Sequence, residues 1–535
     1  MSLKYASLLK ISAAGIILLS VGACKPANKG QGALKSEGVA ALNLSKSEAS
    51  VFSKYFVTQP CEVDELEALG ALAGLGIGES GTNSMTFASR KFDVGLVAYR
   101  DIIVEEGDAA SFKAKTAVFH CPSMGDEAPE FARLDLTDAM VRDREGSSFT
   151  FGTLNISEPT ADAAAAIVNG MVDPQSRNKG DIGFKAISAT DITLKSKEVF
   201  GALESLSWGE TRSETGAGKA DLTVEKLDLT VPGKDGVQDM TLVFNGMSAR
   251  NLNIGSKLNA QKAITPNGAI GSVLGSLNAF QKPYDQLIVE TLKIDSEGLK
   301  VDFGGIEGQT SEKGEIITTR QSLKPTVITL KPSLGDNPAF QRNYEIIKSL
   351  GFETLRMSGS SISELNSGDD SVTVSDGLFV VEDGFALNFE YSAEGLSEMT
   401  AKLRSLSESG ENPDIMEVYD TLKLRDFRLT LEDNSIVERG LKLASEMTGQ
   451  SEKNIKRSLG LAVFGAALAA ENDLQAEVYS ESMEAFAEFV KNGGTLTIEA
   501  NPPAPFPLAP LLSDKGEELD PSTLGFSASQ DGGAE

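Results

Sequence analysis

The sequence predicts an α+β, β-dominated fold of repeated antiparallel strand units with interspersed helices and a helical C-terminal segment. Runs rich in β-branched and aromatic residues recur through the middle of the chain, separated by glycine-containing turns. A helix-plus-strand unit repeats at a spacing of a little over sixty residues. Helical periodicity, by contrast, is concentrated after residue 435.

In chain order, the first element is a leader. Lys4 and Lys10 precede an apolar run from Ile11 to Leu19, and Ser20-Val21-Gly22-Ala23-Cys24 follows, which is the order of charge, apolar stretch and small residues in an export signal. That run is too short to span a bilayer. Val21-Gly22-Ala23-Cys24 resembles a bacterial lipobox. The resemblance implies that residues 1–23 are a lipoprotein signal peptide and that Cys24 becomes the lipid-modified first residue of the mature chain. It also implies an oxidising compartment and, because Lys25 rather than Asp follows the cysteine, the periplasmic face of the outer membrane. Ordinary cleavage after Ala23, leaving a free thiol, is the alternative. Residues 24–44, opening Lys25-Pro26-Ala27-Asn28-Lys29-Gly30, are polar and suit a flexible tether. Acyl chains on Cys24 would supply durable anchoring, so the membrane is the first expected partner.

Composition bounds the rest. The chain of 535 residues has room for two or three domains, and 41% hydrophobic content fits folded material. Acidic residues outnumber basic ones 77 to 49, for a net charge of −28, and loss of the signal removes Lys4 and Lys10 as well. Such a surface repels phosphate backbones, which excludes nucleic acid as a partner. With Cys24 committed to lipid, Cys61 and Cys121 remain, and a disulfide between them is the default where thiols oxidise. A redox-active pair would want the close Cys-x-x-Cys spacing that they lack.

Residues 45–260 read as an N-terminal β-rich region with leading helices and one disulfide. Ser45 to Val57 and Glu62 to Leu75 are the helices, the second with Val63, Leu66, Leu69 and Leu72 along one side. Strands are expected over Phe92 to Val104, Ser111 to Phe119, Arg133 to Val141 and Ser148 to Ile156. Glu106-Gly107-Asp108, Glu145-Gly146, Lys234-Asp235-Gly236, Asp376-Gly377 and Asp383-Gly384 read as hairpin turns. Residues 261–430 carry the repeats. Ala279-Phe280-Gln281-Lys282-Pro283-Tyr284 recurs as Ala339-Phe340-Gln341-Arg342-Asn343-Tyr344, and each copy leads to a strand start, Glu290-Thr291-Leu292-Lys293-Ile294 and Glu353-Thr354-Leu355-Arg356-Met357. A third start is Asp420-Thr421-Leu422-Lys423-Leu424. In this pattern the Leu and the aliphatic residue two on face one side, and the Lys or Arg between them faces water. Residues 431–512 form a helical region, with helices over Ser435 to Thr448, Ser451 to Ala470 and Leu474 to Val490 and a return strand over Thr495 to Ala500. The acidic residues 513–535 read as a disordered tail.

No catalytic, cofactor-binding or metal signature emerges. Gly76-Ile77-Gly78-Glu79-Ser80-Gly81 fits the dinucleotide string, but that chemistry needs a strand before and a helix after, and here the order is reversed. His120 is the single histidine, beside Cys121, and reads as a structural residue at a strand end. Asp369, Asp370, Asp376, Glu382 and Asp383 match no calcium loop and read as solvated turn acids. Lone Trp208 reads as a core residue.

The Leu-x-aliphatic strand repeats between Leu203 and Leu431 resemble the texture of AsmA-like bacterial envelope proteins, although the lipobox replaces their usual membrane helix. That resemblance implies long sheets curled into grooves that serve lipid movement or envelope homeostasis. The expected function is therefore a non-enzymatic, lipid-anchored envelope protein whose sheet binds an apolar ligand or an envelope partner. The alternatives are a scaffold contacting envelope proteins without a ligand cavity and, third, a hydrolase using carboxylates.

Overall fold

A computed structural model of the chain describes residues 52–57, 61–75, 77, 84–106, 110–125, 129–142, 146–172, 184–196, 199–212, 218–233, 239–255, 282–334, 341–409, 421–458, 474–507 and 524–532. The fold is α+β and β-dominated, built from antiparallel strands. It divides into two compact units, residues 1–269 and 270–535.

In the first unit the strands are β1 (Ser84–Thr86), β2 (Ser89–Asp93), β3 (Leu96–Glu106), β4 (Ala110–His120), the short pair β5 (Ser123–Met124) and β6 (Pro129–Glu130), β7 (Arg133–Arg142), β8 (Ser148–Pro159), β9 (Phe184–Lys195), β10 (Phe200–Arg212), β11 (Gly218–Val231) and β12 (Met240–Gly255). From β3 onwards the long strands pair in succession, each antiparallel to the last, with β1 and β2 both on β3. Helix α1 (Glu65–Gly74) starts where the Asp64 side chain accepts the Glu67 amide at 2.9 Å, and α2 (Ala161–Val172) where the Thr160 hydroxyl accepts the Ala163 amide at 3.1 Å. Ala68 and Leu72 of α1 and Ala164 and Val168 of α2 join a core of Tyr99, Phe112, Phe119, Leu134, Ile156 and Ile187. Phe87, Tyr99, Phe119 and Phe131 stack edge to face through it, at centroid spacings of 5.2, 6.3 and 5.4 Å.

A crease runs across this sheet. Asp101, Asp138, Asp191 and Lys226, one on every second strand, all adopt positive φ, and the register places them in a single cross-strand row. Among residues with a side chain, Asp and Asn adopt the left-handed conformation most readily, which fits three of the four. Its effect is to step the in-out alternation by one. Val97 and Tyr99 are buried before the crease and Ile102 and Val104 after it; Leu134 and Leu136 are followed by Ala139. The other face keeps a polar band, in which Thr116 meets Thr137 at 2.6 Å and Thr153 meets Thr190 at 2.9 Å.

In the second unit the strands are β13 (Gln286–Val289), β14 (Leu292–Asp295), β15 (Leu299–Phe303), β16 (Ile306–Lys313), β17 (Ile316–Leu330), β18 (Thr354–Asn366), β19 (Ser371–Val381), β20 (Phe385–Glu394), β21 (Lys423–Asp433), β22 (Thr495–Ala500), β23 (Phe506–Pro507) and β24 (Phe526–Asp531). Strands β17 to β22 follow one another across the sheet; β16 and β15 pair end to end along the edge of β17 opposite β18, and β24 closes the far edge. Helices α3 (Gln341–Ser349), α4 (Leu396–Ser409), α5 (Ile436–Thr448) and α6 (Leu474–Asn492) are inserted between antiparallel neighbours. Two of the three copies of the repeated motif mark strands entered from a helix, since Leu355 and Met357 open β18 after α3 and Leu424 lies at the start of β21 after α4; Leu292 of the first copy opens β14 after strand β13.

Four expectations are corrected here. Asp376-Gly377 is not a turn but a bulge inside β19, where the pairing slips between Val374 and Gly377 and Asp376 takes φ 51°. Gly377 is required there because a Cβ would overlap the Phe389 carbonyl oxygen. The tail is not wholly unstructured, since Phe526–Asp531 pairs along β22 and covers its edge. The division between 430 and 431 falls inside β21, which bonds to β20 on one side and β22 on the other, so the C-terminal helices belong to the second unit. Finally, the described part of the first expected helix is only a 3₁₀ turn over Ser53–Tyr55; residues 45–51 lie outside the described residues, as do most of Ser451 to Ala470 and the Lys234-Asp235-Gly236 turn.

Candidate functional site

Two places in the molecule gather side chains beyond ordinary packing. The first is where the described residues begin. Residues 52–57 cross the polar face of the first unit as a strap, with Phe52, Tyr55 and Phe56 buried against Ala186 of β9. The sheet makes room at Gly209 of β10, where a Cβ would overlap the Tyr55 ring. The Tyr55 hydroxyl and the Lys54 ammonium each donate to Asp221 Oδ2 at 2.9 Å. The pairing of β11 with β12 slips between Ala220 and Leu222, and Asn251, at φ 48°, turns its amide onto Asp221 Oδ1 at 2.9 Å. Burial alone would push the Asp221 carboxyl up, but the Asn251 amide, Lys54 and Tyr55 outweigh it and hold the group below its ordinary value. Lys54 is correspondingly raised, chiefly by its hydrogen bond to Asp221.

The strap is fastened at its other end too. Arg133 Nη1 donates to the Phe56 carbonyl at 2.8 Å with its guanidinium 5.6 Å over the Phe56 ring. Arg133 Nε reaches Asp135 Oδ1 at 2.6 Å, and His120 Nε2 lies 2.8 Å from Asp135 Oδ2. Cys61 is bonded to Cys121, with a Cα–Cα distance of 5.9 Å. At 6% exposure, with its Nε2 bonded to Asp135 and its neighbour Cys121 in the bridge, His120 has the surroundings of a structural residue. Gly209→Val is expected to drive Tyr55 off the sheet, costing about 2 kcal/mol as an overpacked site and making the Lys54–Tyr55 bond a fast tryptic site in limited proteolysis.

The second place is the apolar face of the second unit. Directly paired residues in an antiparallel sheet lie on the same side. The register therefore builds one row from Ile294, Val301, Ile328 and Leu355. A second holds Leu292 and Phe303 on β14 and β15 and Met357, Val381 and Phe385 on β18 to β20, interrupted on β17 by buried Thr326. Except for Val381, the apolar side chains of both rows are half-buried rather than enclosed. Towards β22 and β24 the cover is explicit, where Ala485 and Phe489 of α6 pack on Leu496 with Leu431 and Ile498 alongside.

The remaining sequence candidates resolve as follows. Cys24 lies outside the described residues. Asp369 and Asp370 sit in the turn between β18 and β19, whereas Glu382 and Asp383 sit in the turn between β19 and β20 at the opposite end of β19, so the acids do not converge. Among the described residues, no group of three or more His, Cys, Asp or Glu could hold a metal ion. A helix does precede, and a strand follow, the glycine string at 76–81. Trp208 packs against the first unit's core. Sequence reasoning missed Asp221 and Arg133, because the strap that buries them comes from 166 and 77 residues away.

Comparison with known proteins adds little. A family model described only as "Uncharacterized protein" matches residues 378–531. That stretch runs from within β19 to the end of β24, across α4, α5 and α6. No curated protein matches the chain.

Proposed function

We propose that the chain is a lipid-anchored protein of the bacterial cell envelope, acylated at Cys24, and that it carries an apolar ligand on the sheet of its second unit without performing catalysis. The observation that carries the reading is the half-buried apolar row across β14, β15, β17 and β18, with a second alongside it on β14 and β15 and, beyond Thr326, on β18 to β20. A closed core would bury these residues; an ordinary solvated face would be polar. The Cys61–Cys121 bond suits an oxidising compartment. Among the described residues no helix is long and apolar enough to cross a membrane.

The test is native mass spectrometry of the full mature chain, carrying Cys24→Ser and purified without detergent. Co-purifying lipid that Phe303→Glu together with Leu355→Glu removes is the expected result. A bare mass accompanied by a stable protein partner would overturn ligand carriage. It would favour the scaffold reading, for which exposed Met447 and Phe486 on α5 and α6 speak.

A further inference from the structure

Strand β24, the last at the far edge of the second unit's sheet, lacks the devices that ordinarily keep other strands away. Among the described residues it bonds to β22 alone, so the backbone groups along its outer side face no strand. Native edges are commonly blunted by lysine, proline or a bulge. Over Phe526–Asp531 the chain reads Phe-Ser-Ala-Ser-Gln-Asp, without lysine or proline, and its six pairs with β22 run without a slip. Such guards are present elsewhere, as exposed Arg90 and Lys91 in β2 and as Pro507 in β23. Above the edge lies α6, with Ala485 and Phe489 packed over Leu496 and Ala528. Val490, on one flank of α6, joins the same cluster as Val437 of α5, the helix that follows β21 on the inner side of the sheet. Glu481, Glu484 and Glu488 share the opposite flank by helical spacing and therefore overlook the edge. Lys491 and Asn492 take up Glu488 at 3.1 and 2.6 Å, but exposed Glu481 and Glu484 have no cation partner among the described residues.

We propose that the outer edge of β24 is a docking site for an extended segment of a partner protein that carries Lys or Arg at alternate positions. The segment adds to the sheet as one more strand: backbone pairing supplies the attachment and the alternation supplies the selection. Successive side chains of a strand point to opposite faces, so every second one lies beside Phe526, Ala528 and Gln530 on the α6 side. There a long aliphatic stem rests on Phe526 and Ala528 and carries its charge to Glu481 and Glu484. A second copy of this chain fits less well, because pairing two β24 edges brings two acidic flanks together. The inference is independent of the acyl anchor and of ligand carriage.

The experiment is amide hydrogen exchange of the full mature chain carrying Cys24→Ser, with and without a decapeptide of alternating Lys and Thr. With the peptide at about ten times its Kd, exchange within Phe526–Asp531 is expected to slow about tenfold. Glu481→Gln with Glu484→Gln should weaken binding about fivefold, as two exposed ion pairs would. The same peptide N-methylated at every second residue, made in both phases, separates strand pairing from attraction of charge. The phase whose methyl groups turn away from β24 should protect it, and the other should not. Equal protection by both phases, or by a peptide with its lysines grouped at one end, would overturn the proposal. So would unchanged exchange of β24 at millimolar peptide, or protection that appears with rising chain concentration alone, the mark of a second copy at the edge.

Discussion

Replacing both cysteines of the bridge, Cys61→Ser with Cys121→Ser, is expected to lower the stability of the first unit by about 4 kcal/mol. The bond closes a loop of 60 residues, and in the chain-entropy account a loop of that length removes about that much free energy from the unfolded ensemble. It also ties the strap and the start of α1 to the end of β4, so its loss frees the part of the chain that would bear the anchor. Trp208 lies in the first unit and is the only tryptophan. Urea unfolding followed by its fluorescence therefore reports this unit alone, and the expected signature is a lower midpoint with a steeper slope, because the unfolded chain freed of the bridge exposes more surface. The same shift should appear when the unsubstituted protein is unfolded in reductant.

Asp221→Ala should follow closely, costing about 3 kcal/mol. The substitution strips the acceptor from the buried Tyr55 hydroxyl and from the Asn251 amide, each worth about 1–3 kcal/mol when a charged acceptor is lost. The Lys54 contact adds little, because that side chain is more than half exposed and solvent screens the pair. The Asp221 carboxyl is held below its ordinary value, so its contribution is complete above about pH 4 and is lost as pH falls through the lower folded value. Lys54 is raised, so its contribution is present below about pH 10 and disappears only as pH rises through the higher folded value. The strap should thus hold evenly through neutral pH and loosen in acid. Tryptic cleavage after Lys54, slow at pH 7.5, should become fast at that pH in the Asp221→Ala chain.

Strands with plain alternation were legible in the sequence. Thr495 to Ala500 matches the structure residue for residue, because one apolar face and one polar face leave a period of two, and Arg133 to Val141 matches almost as well although its alternation steps at Asp138. The helices ended by Gly449 and Gly493 were legible from local signals, whereas the helix read from Glu62 begins only at Glu65, behind its Asp64 cap. Illegible were features whose cause is not local. The crease takes one left-handed residue per two strands, and only the register reveals that Asp101, Asp138, Asp191 and Lys226 share a row. Asp-Gly favours positive φ whether it turns a chain or bulges a strand, so Asp376-Gly377 and Asp383-Gly384 look alike in sequence. Only the second is a turn.

The candidate sites divide in the same way. The apolar rows of the second unit follow from the Leu-x-aliphatic repeats, since Leu292 and Ile294, and Leu355 and Met357, share a face by spacing alone. Asp221 and Arg133 resembled exposed strand charges. Their burial depends on a strap distant in sequence, and nothing in their neighbours announces it.

The most direct test of the account is the mass of the tryptic peptide Cys24–Lys29 from the native membrane fraction. A peptide that begins at Cys24 and carries the mass of a diacylglyceryl group, absent from the Cys24→Ser chain, is the result predicted. A peptide with an unmodified thiol at Cys24, or one continuing upstream of Ala23, would contradict it.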